Sequence, residues 1–249
     1  MYMTLILMAA IIFPVGTITK GILVKAEPYR VVTIGGLYGA IGCFIIVAMS
    51  VILGDGISTQ MNQMVEEMSS ILAQNGQYAQ MMGLGDLSAD KLQETYKLMY
   101  QSAMMTLPAV IIIWSVVISY IEYMLISLIM RKRGKDALRM TPTREFSLQR
   151  NGFFGWFVIC MISFVMNQIG AIEIGQTVYL NIYVLFKAAF SYQGISLLAY
   201  VFHMRRWPKP LWIILSVIMI AGNAGTMILY IIGIMDAIFN LKVRFGAVK

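Results

Sequence analysis

The chain has 249 residues, of which 59 % are apolar and 12 % charged, against about 45–50 % and about 25 % in a typical soluble domain. With a mean hydropathy of +0.76 it has too few charges to cover a soluble surface of this size, which excludes an ordinary cytosolic enzyme, a disordered chain, collagen and a disulfide-built secreted scaffold. Its formal net charge of +7 sits in loops between hydrophobic runs, which marks membrane topology and attraction to anionic lipid headgroups, not nucleic-acid binding.

A bilayer core of about 30 Å needs about 20 apolar residues in helix, because lipid satisfies no open backbone groups. Six runs meet or approach that length, so the expected fold is all-α: a polytopic transmembrane helix bundle, 1–249 forming a single membrane domain. The first run, 4–19, is interrupted by Pro14 and Gly16. It has no basic n-region and no small-x-small site after it, so no cleavable signal peptide is expected. Lys20, Lys25 and Arg30 separate it from the second run, 31–53, where Gly35 and Gly39, and Gly36 and Ala40, form small-xxx-small pairs that let helices approach closely.

The stretch 55–105 is acidic and predicts an external helical insertion. Ile57, Met61, Met64, Met68 and Leu72 follow amphipathic spacing. Ser88 reads as an N-cap with Asp90 in the first turn, opening a second helix over about 89–104 that leads into the third run, 106–130. The loop 131–150 follows with seven basic residues, among them Arg131, Lys132, Arg133 and Lys135. It reads as cytoplasmic and as a contact for lipid or a partner protein. The fourth run, 152–170, is joined to the fifth, 177–202, by a short connection around Glu173 that carries no basic residue.

Arg205, Arg206 and Lys209 precede the sixth run, 211–239. At about 1.5 Å per residue this run exceeds a bilayer core, so it must tilt, break near Gly222–Gly225, or enter the interface beyond Gly233. Six crossings put every second, basic loop in the cytoplasm and both termini outside. The tail residues Lys242, Arg244 and Lys249 conflict with that, unless the sixth run is a hairpin or the tail is an exception.

Ionisable groups at membrane depth are costly and are the best functional leads. Glu122, nine residues before Arg131, lies about 13 Å from the cytoplasmic edge, and Lys187, eighteen before Arg205, about 27 Å from it. The offset is too large for a direct salt bridge between straight helices. Gln193 is closer in level to Glu122 and within reach of a hydrogen bond to it. Asn181, Lys187 and Gln193 fall on more than one side of span five, so that helix should be surrounded by protein. It either lines a hydrated cavity or makes interhelical hydrogen bonds. Glu122, Asn181, Lys187 and Gln193 are the candidate ligand-binding residues. Cys43 and Cys160 lie inside apolar runs, and there is no HExxH, GxSxG, P-loop or CxxC pair. No catalytic residue, metal or cofactor is indicated, and no enzymatic activity is expected.

From about residue 84 onward the order of features resembles a known family. An acidic-leaning helix, LSADKLQETYKLMYQSA, enters a span. A basic loop with TPTREFSLQRNGFFGWF follows, then YQGISLLAYVFHMRRWPKPLWIIL, and finally IIGIMDAIFNLKVRF. The pattern is similar to the YybS-like family, uncharacterised multi-spanning membrane proteins of Gram-positive, often spore-forming bacteria. Gln193-Gly194 and the Gly233/Asp236/Arg244 ending are its most specific points. The resemblance implies a multi-pass protein of the bacterial plasma membrane and no established reaction. Family members extend further at the amino terminus, so the first span here would be an internal one. At fold level the family is similar to the substrate-capture subunits of energy-coupling-factor transporters, and it resembles small membrane scaffolds of the cell-wall machinery. The expected function is small-solute capture or transport together with partner proteins. The alternative is a non-enzymatic scaffold or regulatory protein acting through protein partners or anionic lipid.

Overall fold

Every hydrophobic run that falls on described residues forms helix. The computed structural model describes residues 2–52, 63, 67, 89–148, 150–168 and 172–247. The amphipathic helix expected from Ile57 to Leu72, the Ser88 cap and most of the external insertion lie outside the described residues. Helices α1 (Tyr2–Leu23), α2 (Pro28–Ile52) and α3 (Ala89–Lys132) come first. A 3-10 turn at Thr143–Glu145 precedes α4 (Arg150–Gln168), α5 (Ile172–Met204), α6 (Lys209–Ala221), α7 (Asn223–Phe239) and α8 (Leu241–Ala247). There is no strand among the described residues, so the all-α bundle stands.

Four helical stretches are long and apolar enough to cross a bilayer: Thr4–Leu23, Pro28–Ile52, Leu98–Lys132 and Gly175–Met204. The bent pair α6–α7 would make a fifth. In α4 the apolar part, Phe153–Met166, is shorter than a full span, so six spans is an approximate figure. The helix expected over 89–104 and the third span are one continuous helix of 44 residues that carries Pro108 inside it.

The chain clusters into two compact units, Met1–Ala137 and Leu138–Lys249. In the first, α1 and α2 run antiparallel, and the glycines of α2 set their separation. A Cβ added at Gly39 would stand 3.1 Å from Pro14 and 3.3 Å from the Ala10 carbonyl, and one at Gly35 2.9 Å from Ile18. The same face of α2 receives α3, where a Cβ at Gly36 would meet the Val116 backbone at 2.8 Å. Small residues therefore let three spans touch at backbone distance, in lipid, where packing replaces the hydrophobic drive. Lys25, after α1, pairs with Asp136, after α3, so two basic segments share one end of this unit.

In the second unit α5 is central. It packs against α4, α6, α7, α8 and the 3-10 turn, as expected for a helix polar on several sides. Phe153, Phe186, Phe190 and Ala237 form its apolar core. The sixth run breaks at Gly222, with α6 and α7 bent by 115°. Gly225 makes the turn sterically feasible, because a Cβ there would stand 2.3 Å from the Met219 carbonyl. Beyond α7, α8 follows α5 toward its carboxy-terminal end, so that a Cβ at Gly246 would meet Tyr200 Oη at 2.7 Å. Gly246 therefore lies against Tyr200, five residues before the Arg205–Arg206 turn. The bent run is either a broken span or a re-entrant loop, and only the re-entrant form would bring Lys242 and Arg244 to the side of the basic Arg205–Arg206 turn.

Helices α1, α3 and α5 all stop in the same way. Lys25, Gly134 and Arg206 adopt left-handed backbone (φ 53°, 75° and 56°). The next amide in each case reaches back across the turn: Ala26 N to Gly21 O, Lys135 N to Met130 O and Trp207 N to Phe202 O. This satisfies carbonyls that would otherwise be orphaned at the helix end.

Candidate functional site

Two buried polar constellations stand out, one in each unit. The first is built where α5 and α7 cross. A Cβ at Gly194 would lie 2.1 Å from the Leu229 carbonyl, and one at Gly233 1.8 Å from the Phe190 carbonyl. The helices are in backbone contact there. Gln193, next to Gly194, is fully buried, and Asp236, three residues past Gly233, is 2 % exposed.

Gln193 Nε2 donates to Asp236 Oδ2, and Gln193 Oε1 accepts from the Leu148 amide at 3.0 Å. Asn240 ends α7 in left-handed backbone (φ 50°). This turns the chain so that the Lys242 amide reaches Asp236 Oδ1 at 3.2 Å. Asp236 thus caps α8, where a carboxylate meets unsatisfied amides. Lys242 Nζ lies 3.6 Å from Asp236 Oδ2, donates to the Phe146 carbonyl and donates to Ser196 Oγ at 2.6 Å. Ser196 Oγ is also within reach of the Thr143 and Phe146 carbonyls, at 2.6 and 2.8 Å. Burial pulls the Lys242 ammonium below the usual lysine range, and the Asp236 carboxylate opposes that shift. The network sets the Ser196 hydroxyl beside the Lys242 ammonium, whose charge is paired with Asp236. Its chemistry is to hold the segment 143–148 and the tail on α5.

The second constellation lies on α3. Ser115, Ser119 and Glu122 are 1 %, 0 % and 9 % exposed; Ser115 hydrogen-bonds the Cys43 thiol, while the Ser119 hydroxyl and both Glu122 oxygens have no hydrogen-bond partner among the described residues. Their spacing of four and three puts them on one face. That face is turned to the α2 glycines, since Ser119 Oγ would lie 3.3 Å, and Ser115 Cβ 3.4 Å, from a Cβ at Gly35 and Gly39 respectively.

Of the candidate ligand-binding residues, Gln193 joins the α5–α7 network and has both amide atoms engaged there, by Leu148 and Asp236, not by Glu122. Asn181 donates to Thr177 O, one turn back on its own helix, at 2.7 Å. Lys187 is half-buried on α5 and makes no ion pair or hydrogen bond among the described residues. Glu122 belongs to the first unit. In the basic loop, Arg131 Nε donates to Ser127 O at 3.3 Å, while Lys132, Arg133 and Lys135 are exposed. A cavity of about 280 Å³ lies at the end of α5, lined by Tyr200, His203, Met204 and Arg206, sixteen residues along the helix from Lys187. Asp236, Lys242 and Ser196 were not among the expected site residues. The signal for Asp236 was present, since it is an ionisable residue inside the sixth apolar run and the rule that singled out Glu122 applies equally to it.

The chain is 21 % identical over 194 residues to the uncharacterized protein YybS of Bacillus subtilis (strain 168), covering 76 % of this chain and 58 % of that relative. The chain thus spans little more than half the length of YybS. No solved structure matches it. The family model described as "Predicted membrane protein (DUF2232)" matches residues 1–237. With several helices able to cross a bilayer, the chain is a multi-pass membrane protein and belongs to that family.

Proposed function

We propose that this protein captures or transports a small anionic solute across a bacterial plasma membrane, together with partner proteins and without enzymatic activity of its own. The observation that carries this reading is Lys187. Asp236 and Lys242, the buried charges of the second unit, are paired with each other. Lys187, half-buried on the central helix, has no counter-ion among the described residues. A cation within a span that lacks an internal partner favours an anionic group supplied from outside. The break between α6 and α7 supports the same reading, because discontinuous helices at membrane depth commonly build solute sites.

The test is to purify the protein from its native membranes and identify retained small molecules by mass spectrometry, in wild type and Lys187→Met. An anionic metabolite retained by wild type and lost from the variant is expected. Retention of no anionic molecule by wild type would overturn the reading. A second reading, a scaffold held to anionic lipid or an acidic partner, is favoured by the exposure of Lys132, Arg133 and Lys135. Reversing those three charges would then abolish partner crosslinking or vesicle binding.

A further inference from the structure

We infer that Ser119 and Glu122, one turn apart on α3, form an intramembrane site for a monovalent cation, either a proton or Na⁺. Glu122 lies nine residues before Arg131, about 13 Å into the span. Both its oxygens are buried without a partner among the described residues, as is the Ser119 hydroxyl on the same face. A carboxylate so placed cannot stay bare. It must carry a proton or hold a cation, because no described protein donor or counter-charge compensates its desolvation.

The neighbouring elements offer no substitute. The ionisable residues with described side chains on α1 and α2 are Lys20, Tyr29, Arg30, Tyr38 and Cys43, and the nearest on α3 are Tyr120, Tyr123 and Arg131. None of these hydrogen-bonds the Glu122 carboxyl. The opposing surface of α2 presents Gly35, which has no side chain to offer the Ser119 hydroxyl lying 3.3 Å from where its Cβ would stand. Oxygen ligands from a carboxylate and a hydroxyl suit a hard cation. The inference rests on the first unit alone and does not depend on the Lys187 reading.

The test is labelling of the intact protein in lipid vesicles with dicyclohexylcarbodiimide, an apolar reagent that attacks protonated carboxyls, followed by peptide mapping. Label is expected on Glu122 and absent from Glu122→Gln. Protection by Na⁺ but not by choline at fixed pH identifies a Na⁺ site. Labelling that declines as pH rises, unaffected by Na⁺, identifies a proton site. For a Na⁺ site, Ser119→Ala raises the Na⁺ needed for half-protection by about tenfold, as expected for one lost ligand to a charged group. Wild-type protein that never labels at Glu122, or that labels there independently of both pH and Na⁺, overturns the inference. Those results need no variant and therefore survive a folding failure of Glu122→Gln.

Discussion

Replacing Lys242 by Met tests whether the α5–α7–α8 network is a single coupled unit. Asp236 is 2 % and the Lys242 side chain 13 % exposed, with 3.6 Å between Oδ2 and Nζ. At an effective dielectric constant of about 20, that separation corresponds to about 4–5 kcal/mol of attraction. Much of it offsets the desolvation of both groups, so the pair adds little net stability. Removing one member alone is different. Lys242→Met leaves Asp236 buried with only Gln193 Nε2 and the residue-242 amide as donors, at a cost of about 3–5 kcal/mol. Asp236→Asn strands the ammonium on the Phe146 carbonyl and Ser196, for a similar loss. The double variant Asp236→Asn/Lys242→Met should recover at least about 2 kcal/mol of the summed loss, because no buried charge remains. Reversible unfolding in detergent gives the free energies, and hydrogen exchange at the Leu148 amide reports release of the 143–148 segment. A Lys242→Met loss within about 0.5 kcal/mol, the range of an ordinary surface change, would refute the reasoning. So would strict additivity in the double variant.

Other consequences follow from the same geometry. Gly233→Ala and Gly194→Ala place a methyl against backbone carbonyls at 1.8 and 2.1 Å, so each should destabilise by more than the roughly 1–3 kcal/mol of ordinary overpacking. Gly155→Ala, with nothing within 4 Å of the new Cβ, should be neutral or stabilise by up to about 1 kcal/mol. Thermal unfolding in detergent separates the two cases. If the bent α6–α7 pair is re-entrant, single cysteines replacing Trp207 and Phe245 should react with an impermeant maleimide from the same side of the membrane, whereas labelling from opposite sides would identify a broken span. The Lys25 hydrogen bond and charge hold the Asp136 carboxyl below its ordinary value of 3.8. The contact is therefore complete above that pH and is lost as pH falls through the lower folded value. Hydrogen exchange of the segments around both residues should accelerate in that window in wild type. It should show no such step in Asp136→Asn, and the effect should shrink with added salt because the pair is exposed.

Much of this molecule could be read from its residues because lipid imposes strong one-dimensional rules. Apolar runs of span length had to be helices, since no other open conformation satisfies its backbone in hydrocarbon. The 29-residue sixth run had to tilt, break or leave the membrane. Gly35, Gly36 and Gly39 signalled close packing, and Glu122 announced itself as a carboxylate in an apolar run. None of these depends on knowing which helix lies beside which.

Partnership, by contrast, is a three-dimensional property. Sequence spacing placed Gln193 near the level of Glu122. The backbone contact of Gly194 with Leu229, and of Gly233 with Phe190, instead delivers Gln193 to Asp236, 43 residues away along the chain. The left-handed turn at Asn240 then aims Lys242 back at the same carboxylate and into the 143–148 segment. Whether a buried charge is paired, as at Asp236, or left open, as at Glu122 and Lys187, depends on which side chains converge on it. That convergence is set by crossing angle and turn geometry, which hydropathy along a single strand of residues does not encode.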